Sequence, residues 1–445
     1  MQLQVQTSYR SILGIALPIS LSMLVPQINF IINNIFLGTL GEQELASAGI
    51  TGVYYLIFAV IGNGLNNGLQ ALIARRAGQN LPKEIGKLFY HGIWVALAVS
   101  LLGIAVTYIA APYILRSVLH SSAIAAQVID FLFIRILGLP FLYLYVMRNA
   151  LLVGTNQTRL LVWGTLAEAL INVLFDYTLI YGHFGFPALG FNGAAYASIM
   201  AEAGGLVVIS VAVHAKGLHK SFAFLEGMKW DFKTAKLILV QSTPLIAQYA
   251  ISIISWEYFY ILIEHHGEQA LAISNTMRNI FGLFGIFAWS LAATTNTMVS
   301  NLIGQERIDE VLPLIWRIVK LSIVISVCVL VAFNTFPEVF LSIYSQGDDF
   351  IDAAIPVIRI VSVALLLMSV GTIWLNAVTG TGNTVVNLII EGITIVMYCL
   401  YVYFVLEYWQ LPITWGWASE WVYWLSMLSM SFIYMQSGKW RGKKI

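Results

Sequence analysis

The chain has 445 residues, of which 59% are hydrophobic and only 10% charged, and its mean hydropathy is +0.81. A water-soluble domain carries about a quarter charged residues, so these figures exclude one and indicate a polytopic membrane protein. The formal net charge of +1 is no electrostatic footprint for nucleic acid. The two cysteines, Cys328 and Cys399, fall in distant apolar segments and read as small core residues rather than a disulfide or metal site.

A membrane-spanning helix takes about 20 apolar residues. Twelve such segments follow one another, at roughly 11–38, 47–74, 88–111, 127–152, 158–182, 191–214, 237–264, 275–302, 313–337, 354–378, 385–407 and 413–435. The first is too long for a signal-peptide core and lacks a small-residue cleavage site, so it is expected to act as a signal anchor. It contains Pro18 and Pro26, each of which removes a backbone donor, interrupts the helix and permits bending. Asn29 and Asn33 stand one turn apart on it. The second segment carries Asn63, Asn66, Asn67 and Gln70, a polar seam suited equally to interhelical hydrogen bonds and to lining a cavity. Arg135 in the fourth and Arg359 in the tenth are expected to pair with Asp130, Asp352 or lipid headgroups.

The fifth segment holds Glu168, Asn172 and Asp176 at i, i+4 and i+8, which puts them on one helix face. An ionised carboxylate at bilayer depth costs about 2.5–3.5 kcal/mol on insertion scales and therefore faces a protein interior or an aqueous cavity. Ser198 and Glu202 follow in the sixth, Glu257 in the seventh and Glu391 in the eleventh. Glu420 lies in the twelfth among Trp409, Trp415, Trp417 and Trp421, which read as an interfacial belt of lipid anchors near the outer headgroups. His265 and His266, beside Glu264 and Glu268, read as a solvated loop and not as a metal site.

The longest polar connector, 215–236, contains five lysines and divides the chain into an N-terminal lobe, 1–214, and a C-terminal lobe, 237–445. Lysine and arginine then set the orientation. Arg75, Arg76, Lys83, Lys87, the linker lysines, Arg307, Arg317, Lys320, Lys439, Arg441, Lys443 and Lys444 all fall on one side, with Glu42, Glu44, Glu264, Glu268, Asp348, Asp349 and Asp352 on the other. Both termini are expected in the cytoplasm, with the protein multi-pass in the plasma (inner) membrane. On that topology Asn33, Asp176, Ser198 and Glu257 share one depth, roughly 8–12 Å from the outer end.

Adding 226 to a residue number recovers the same residue type at many marked positions. Pro18 matches Pro244, Gly41 matches Gly267, Gln43 matches Gln269, Gly78 matches Gly304, and Gly154 matches Gly380. An even number of spans per half makes the repeats parallel, related by an axis along the membrane normal.

Several motifs resemble those of the multidrug and toxic compound extrusion (MATE) family. They are Asn33-Asn-Ile-Phe-Leu-Gly38-Thr-Leu-Gly41, then Gly68-Leu-Gln70 through Gly78, then Asn172-x-x-x-Asp176, then Gly190-Phe-Asn-Gly193-Ala-Ala-Tyr-Ala-Ser198. The resemblance implies an all-α protein of twelve helices in two parallel six-helix repeats, set as V-shaped lobes. It also implies secondary-active export of cationic or amphipathic, drug-like or metabolite-like small molecules by alternating access, in antiport with H+ or Na+. No further cofactor, metal or nucleic acid is implied, and a monomer in the bilayer is expected. In one family branch the residues matching Asn172, Asp176 and Ser198 join an acid in the first helix, and the matching position here is Asn33. Another branch uses a glutamate that Glu257 resembles. A third carries an acid in the tenth helix, near Met368, where this chain has none. The expected ion-coupling and cavity residues are Asp176, Asn172, Ser198, Asn33, Glu257, Glu168, Glu202, Glu391, Gln70 and Asn66. A flippase or exporter of lipid-linked or polysaccharide precursors is the alternative. An enzyme is disfavoured, because the sequence offers no nucleophile–base pair or metal cluster.

Overall fold

The structure, a computed structural model, describes residues 3–119, 121–224, 229–343 and 347–443. Lys444 lies outside them, as does the side chain of Glu42. The described residues form helices and turns without a strand. The long helices are α1 Tyr9–Gly38, α2 Glu42–Gly78, α3 Pro82–Val118, α4 Ser122–Gly154, α5 Arg159–Tyr181 and α6 Phe191–Ala215. They continue with α7 Phe232–Glu264, α8 Glu268–Gly304, α9 Val311–Thr335, α10 Asp348–Thr381, α11 Thr384–Tyr408 and α12 Ser419–Gln436. Among the described residues, 11 helices are long and apolar enough to cross a membrane. The twelfth expected segment is broken near its start. A short helix, Ile413–Trp417, precedes the 18-residue α12.

The 226-residue repeat extends to backbone conformation. Gly41 and Gly267 both have positive φ (148° and 95°), as do Asn80 and Glu306 (55° and 64°) and Asn156 and Gly382 (61° and 88°). Left-handed residues end helices by turning the chain out of the α-helical path, so each half reverses direction at matching points. Helices α2 and α8 are both 37 residues long and start 226 apart. Pro18 and Pro26 both lie inside the single helix α1, which they do not interrupt.

The chain divides into two compact units. One is Leu21–Ile246; the other is Met1–Ser20 together with Ala247–Ile445. The division therefore cuts α1 and α7 within the helix rather than falling between helices.

In the 21–246 unit, α5 packs along α6, and the second half of α4 lies against α2 and α3. Lipid is as apolar as leucine, so close approach and hydrogen bonding hold such helices together. The first half of α7 belongs to this unit and lies hard against α2. A Cβ added to Gly68 would stand 2.4 Å from Ser242 Oγ and 3.0 Å from Ser242 Cα. The connector docks onto α3: Lys87 Nζ reaches Asp231 Oδ2 at 2.7 Å, and the Asp231 backbone N–H donates to His91 Nε2 at 2.8 Å. His91 Nδ1 donates to the Lys87 carbonyl at 2.8 Å, which fixes the neutral tautomer. The last residues of the expected connector are already the first turn of α7.

In the other unit α10 is the central helix, packed on α8, α9 and α12. Its buried residues, Val357, Val361, Leu365 and Met368 among them, anchor the core cluster. The N-terminal residues lace into this unit. Val5 N–H donates to Asn301 Oδ1 (3.1 Å), Asn301 Nδ2 donates to the Leu3 carbonyl (2.9 Å), and Arg317 Nη1 donates to the Thr7 carbonyl (2.6 Å). Ser20 Oγ reaches Ser290 Oγ at 2.7 Å.

Two expectations need correction here. Cys328 is exposed, on the same face of α9 as Val324, Val327 and Val331, and is no core residue; Cys399 is half-buried. The tryptophan belt is only partly one. Trp409 and Trp415 are exposed, but Trp417 is fully buried, with its indole N–H on Ser274 Oγ at 3.0 Å, and Trp421 donates to the Ile360 carbonyl at 2.9 Å.

Candidate functional site

In the 21–246 unit, α5 presents Asn172 and Asp176, both buried, one turn apart. Helix α1 presents Asn29 and Asn33 at the same spacing. Both donate to a single oxygen, Asn172 Oδ1, from 2.6 Å and 3.1 Å. Both carboxylate oxygens of Asp176 are buried without a hydrogen-bond partner, and so are the side-chain oxygens of Asn29 and Asn33. A buried acceptor left unsatisfied costs about 1–3 kcal/mol, and more when charged. Asn172 Nδ2 is the one donor of the cluster likewise without a partner, so unpaired acceptors outnumber unpaired donors and the cluster can take a proton on Asp176 or a hard cation that accepts oxygen ligands. Ser198 on α6 is half-buried, Gln70 on α2 is buried, and Asn66 Nδ2 makes only a long contact of 3.5 Å to Asn67 Oδ1.

Further along, α4 tightens into one 3-10 turn at Ile136–Gly138 without leaving the right-handed helical region. Arg135, just before that turn, forms a bidentate pair with Glu202 of α6, Nη1 to Oε2 at 3.0 Å and Nη2 to Oε1 at 2.5 Å. Its guanidinium lies 3.9 Å over the ring of Tyr55, whose hydroxyl donates to Glu202 Oε1 at 3.4 Å. Gly138 leaves room for the pair, since an added Cβ would stand 2.6 Å from Glu202 Oε2 and 2.7 Å from Arg135 Nη1. The expected partner Asp130 is exposed and Arg135 does not pair with it, because residues five apart on a helix point about 140° away from each other. Half-buried Glu168 lies within the field of this pair.

In the other unit, Glu391 of α11 is fully buried. Its Oε1 accepts from Ser252 Oγ at 2.6 Å and from the Tyr423 hydroxyl, and its Oε2 accepts from Gln248 Nε2 at 3.4 Å. Glu420 of α12 is 6% exposed and accepts from the Trp424 indole at 2.9 Å, so its carboxylate is buried within its unit. Glu257 of α7 is exposed. Arg359 is exposed too. His265 pairs with Glu407 at 2.8 Å rather than with its neighbours in sequence, and no group of three or more potential metal ligands occurs among the described residues.

Sequence reasoning missed the Tyr55–Arg135–Glu202 set and the surroundings of Glu391 and Glu420. A signal for the last existed. Gln248, Ser252 and Trp256 recur every fourth residue on α7, and Glu420, Tyr423 and Trp424 stand at i, i+3 and i+4 on α12.

The MatE family model matches residues 18–178 and, again, residues 244–404. The chain belongs to the MatE family. The two matched stretches begin and end 226 residues apart (244 − 18 and 404 − 178), the offset of the internal repeat. A family relative described as a probable multidrug resistance protein NorM, from Thermotoga maritima, is 22% identical over 414 residues, which is 92% of this chain and 88% of its own. A second protein of that description, from Synechocystis, is 28% identical over 207 residues, 45% of this chain and 44% of its own. Among solved structures, a MATE crystal structure in complex with MaL6 superposes with a TM-score of 0.87 at 18% identity, covering 97% of this chain and 95% of that one. A MOP superfamily transporter from Pyrococcus furiosus gives 0.85 at 18% identity over the same shares. At that identity the likeness is one of fold. The protein is an integral membrane transporter of the MatE family.

Proposed function

We propose that the protein exports cationic or amphipathic small molecules by antiport with H+ or Na+, through alternating access, with both termini in the cytoplasm. The observation that carries the coupling is Asp176. Its two oxygens are buried and unpartnered beside amide oxygens in the same state, so the site favours a positive occupant and switches its net charge when that occupant leaves. The NorM relatives, described as probable multidrug resistance proteins, support a drug-like substrate. Asn33 cannot exchange a proton, so coupling in this unit rests on Asp176, and Glu257 is an exposed acid within a membrane-spanning helix of the other unit. Each charge carried inward brings about 2.3 kcal/mol per 100 mV, enough for roughly a fiftyfold gradient of a neutral substrate at about 1.4 kcal/mol per tenfold. A flippase for anionic lipid-linked precursors calls for free positive charge at depth, and Arg135 is engaged by Glu202.

The test is efflux of a cationic dye from proteoliposomes under an imposed proton gradient and, separately, a sodium gradient. One gradient is expected to drive efflux, and Asp176→Asn to reduce it tenfold or more. Wild-type efflux from both Asp176→Asn and Glu257→Gln would sink the coupling scheme.

A further inference from the structure

Where the connector meets α3 and α7, the 21–246 unit presents a surface apart from the Asp176 cluster. On α3, Lys83, Lys87, Tyr90, Trp94 and Leu101 stand at i, i+4, i+7, i+11 and i+18, within about 60° of one helix face. Lys83, Trp94 and Leu101 are exposed there, and Lys87 and Tyr90 are half-buried. The start of α7 repeats the order from basic to aliphatic. Trp230, Phe232, Lys233 and Lys236 are exposed, followed by exposed Leu239 and Val240. A row of rings joins the two helices. Trp94 meets Tyr90 edge to face at 6.2 Å, Tyr90 meets His91 at 5.7 Å, and His91 lies 5.3 Å from Trp230. The connector is seated firmly: Lys87 holds Asp231 at 2.7 Å, and a Cβ added to Gly86 would stand 1.9 Å from the Phe222 carbonyl oxygen. Trp230 nevertheless keeps 59% of its surface exposed, while His91 beneath it is fully buried.

We propose that this surface docks one acidic phospholipid, with its phosphate against Lys233 and Lys236 and its acyl chains beyond the tryptophans. The order along both helices matches the layers of a leaflet: lysine at the phosphates, tryptophan and tyrosine at the interface, leucine and valine at the chains. Charge selects the headgroup. Asp231 is taken by Lys87, and Lys229, Lys233 and Lys236 form no ion pair among the described residues. Exposed Glu84 stands about 100° around α3 from Lys83. A choline headgroup brings its own cation to these lysines, whereas a glycerol headgroup leaves the phosphate charge uncompensated. Each lysine near an acidic membrane surface strengthens binding about fivefold. A free phosphate would meet only exposed ammonium groups and leave the aromatic and aliphatic residues uncovered, so the lipid is the better fit. The inference goes beyond the antiport reading and needs only that these helices span a bilayer.

The test places the full-length protein in phosphatidylcholine nanodiscs containing a few mole per cent of a chain-brominated lipid, which quenches nearby tryptophan. The contribution of Trp230 is the quenching removed by Trp230→Phe. Brominated phosphatidylglycerol is expected to quench it about tenfold more effectively per mole than brominated phosphatidylcholine. That preference should fall to twofold or less in the Lys233→Gln/Lys236→Gln double variant, and severalfold in wild type on raising salt from about 0.05 M to about 0.5 M. Lys320→Gln, an exposed lysine elsewhere, should keep it. Glycerophosphoglycerol, the headgroup without chains, should not compete at about 10 mM. Should Trp230→Phe disturb the connector, native mass spectrometry of retained phosphatidylglycerol decides, with wild type keeping more of it than the double lysine variant. Equal quenching by both lipids would leave a general interfacial belt and overturn the proposal. So would a preference that survives both lysine changes, or displacement by the soluble headgroup. No gradient or transported substrate enters these measurements, so their failure leaves the antiport reading standing, and failed efflux leaves the lipid site standing.

Discussion

Arg135 and Glu202 bring opposite charges together in a part of the molecule where water is scarce, so the loss of either leaves the other uncompensated. Removing one partner of a buried pair costs about 3–5 kcal/mol, whereas replacing both by well-packed apolar groups is often neutral. Arg135→Met and Glu202→Met alone should each lower the thermal midpoint of the purified protein, and the double variant should recover most of the loss. An additive double variant would show that the two side chains are not coupled. The residues around Asp176 were legible in the sequence because their relation is local: Asn29 to Asn33 and Asn172 to Asp176 are one helical turn apart, and a carboxylate in an apolar run announces its own cost. The partner of Arg135 was not legible, because Glu202 is 67 residues away and meets it only through the packing of α4 on α6. The burial of Glu420 was hidden for a related reason. Its tryptophan neighbours suggested a headgroup belt, but Trp417 and Trp424 point inward.

At the scale of elements, the polar connector is built into the fold rather than being a loose tether. The Asp231 carboxyl is held well below the usual carboxylate range, chiefly by the hydrogen bond from Lys87, with Thr234 and the Lys233 backbone N–H adding to it. A carboxylate whose pKa falls on docking stabilises the docked state above its ordinary value of about 4, and that stability is lost only as pH drops through the lower docked value. With His91 replaced by Gln, emission from Trp230, which lies 5.3 Å from the His91 ring, should therefore stay constant from about pH 8 down to about pH 5. Asp231→Asn in that background should shift it throughout that range. A midpoint near neutrality in the His91→Gln protein would contradict the assignment. Composition and loop length identified this connector, yet its docking on α3 depends on contacts 140 residues apart, which no local pattern encodes.

For the molecule as a whole, the duplication was legible because one offset aligns glycines, prolines and turn residues across both halves, and the backbone repeats at the same places. What the offset did not reveal is where the compact units part. They divide after Ser20 and after Ile246, positions themselves 226 apart, with Pro18 and Pro244 two residues ahead of each. A proline inside a helix removes one backbone hydrogen bond and eases bending, so any rearrangement of the units has to be absorbed near these two points. Pro18→Ala and Pro244→Ala are expected to slow efflux severalfold in proteoliposomes while leaving substrate affinity within about twofold. Equal losses of affinity and rate would point to a packing role instead.

The first half of α1 raises a question of timing in synthesis. Val5 leaves the ribosome early, but its hydrogen-bond partner Asn301 follows 296 residues later. At about 5–20 residues per second, that is a wait of roughly 15–60 s. During that interval Asn29 and Asn33 can find Asn172, while Val5 and Ser20 still await Asn301 and Ser290. The 21–246 unit can thus settle around Asp176 well before the other unit closes on the N-terminus, and the earliest residues made are among the last to be placed.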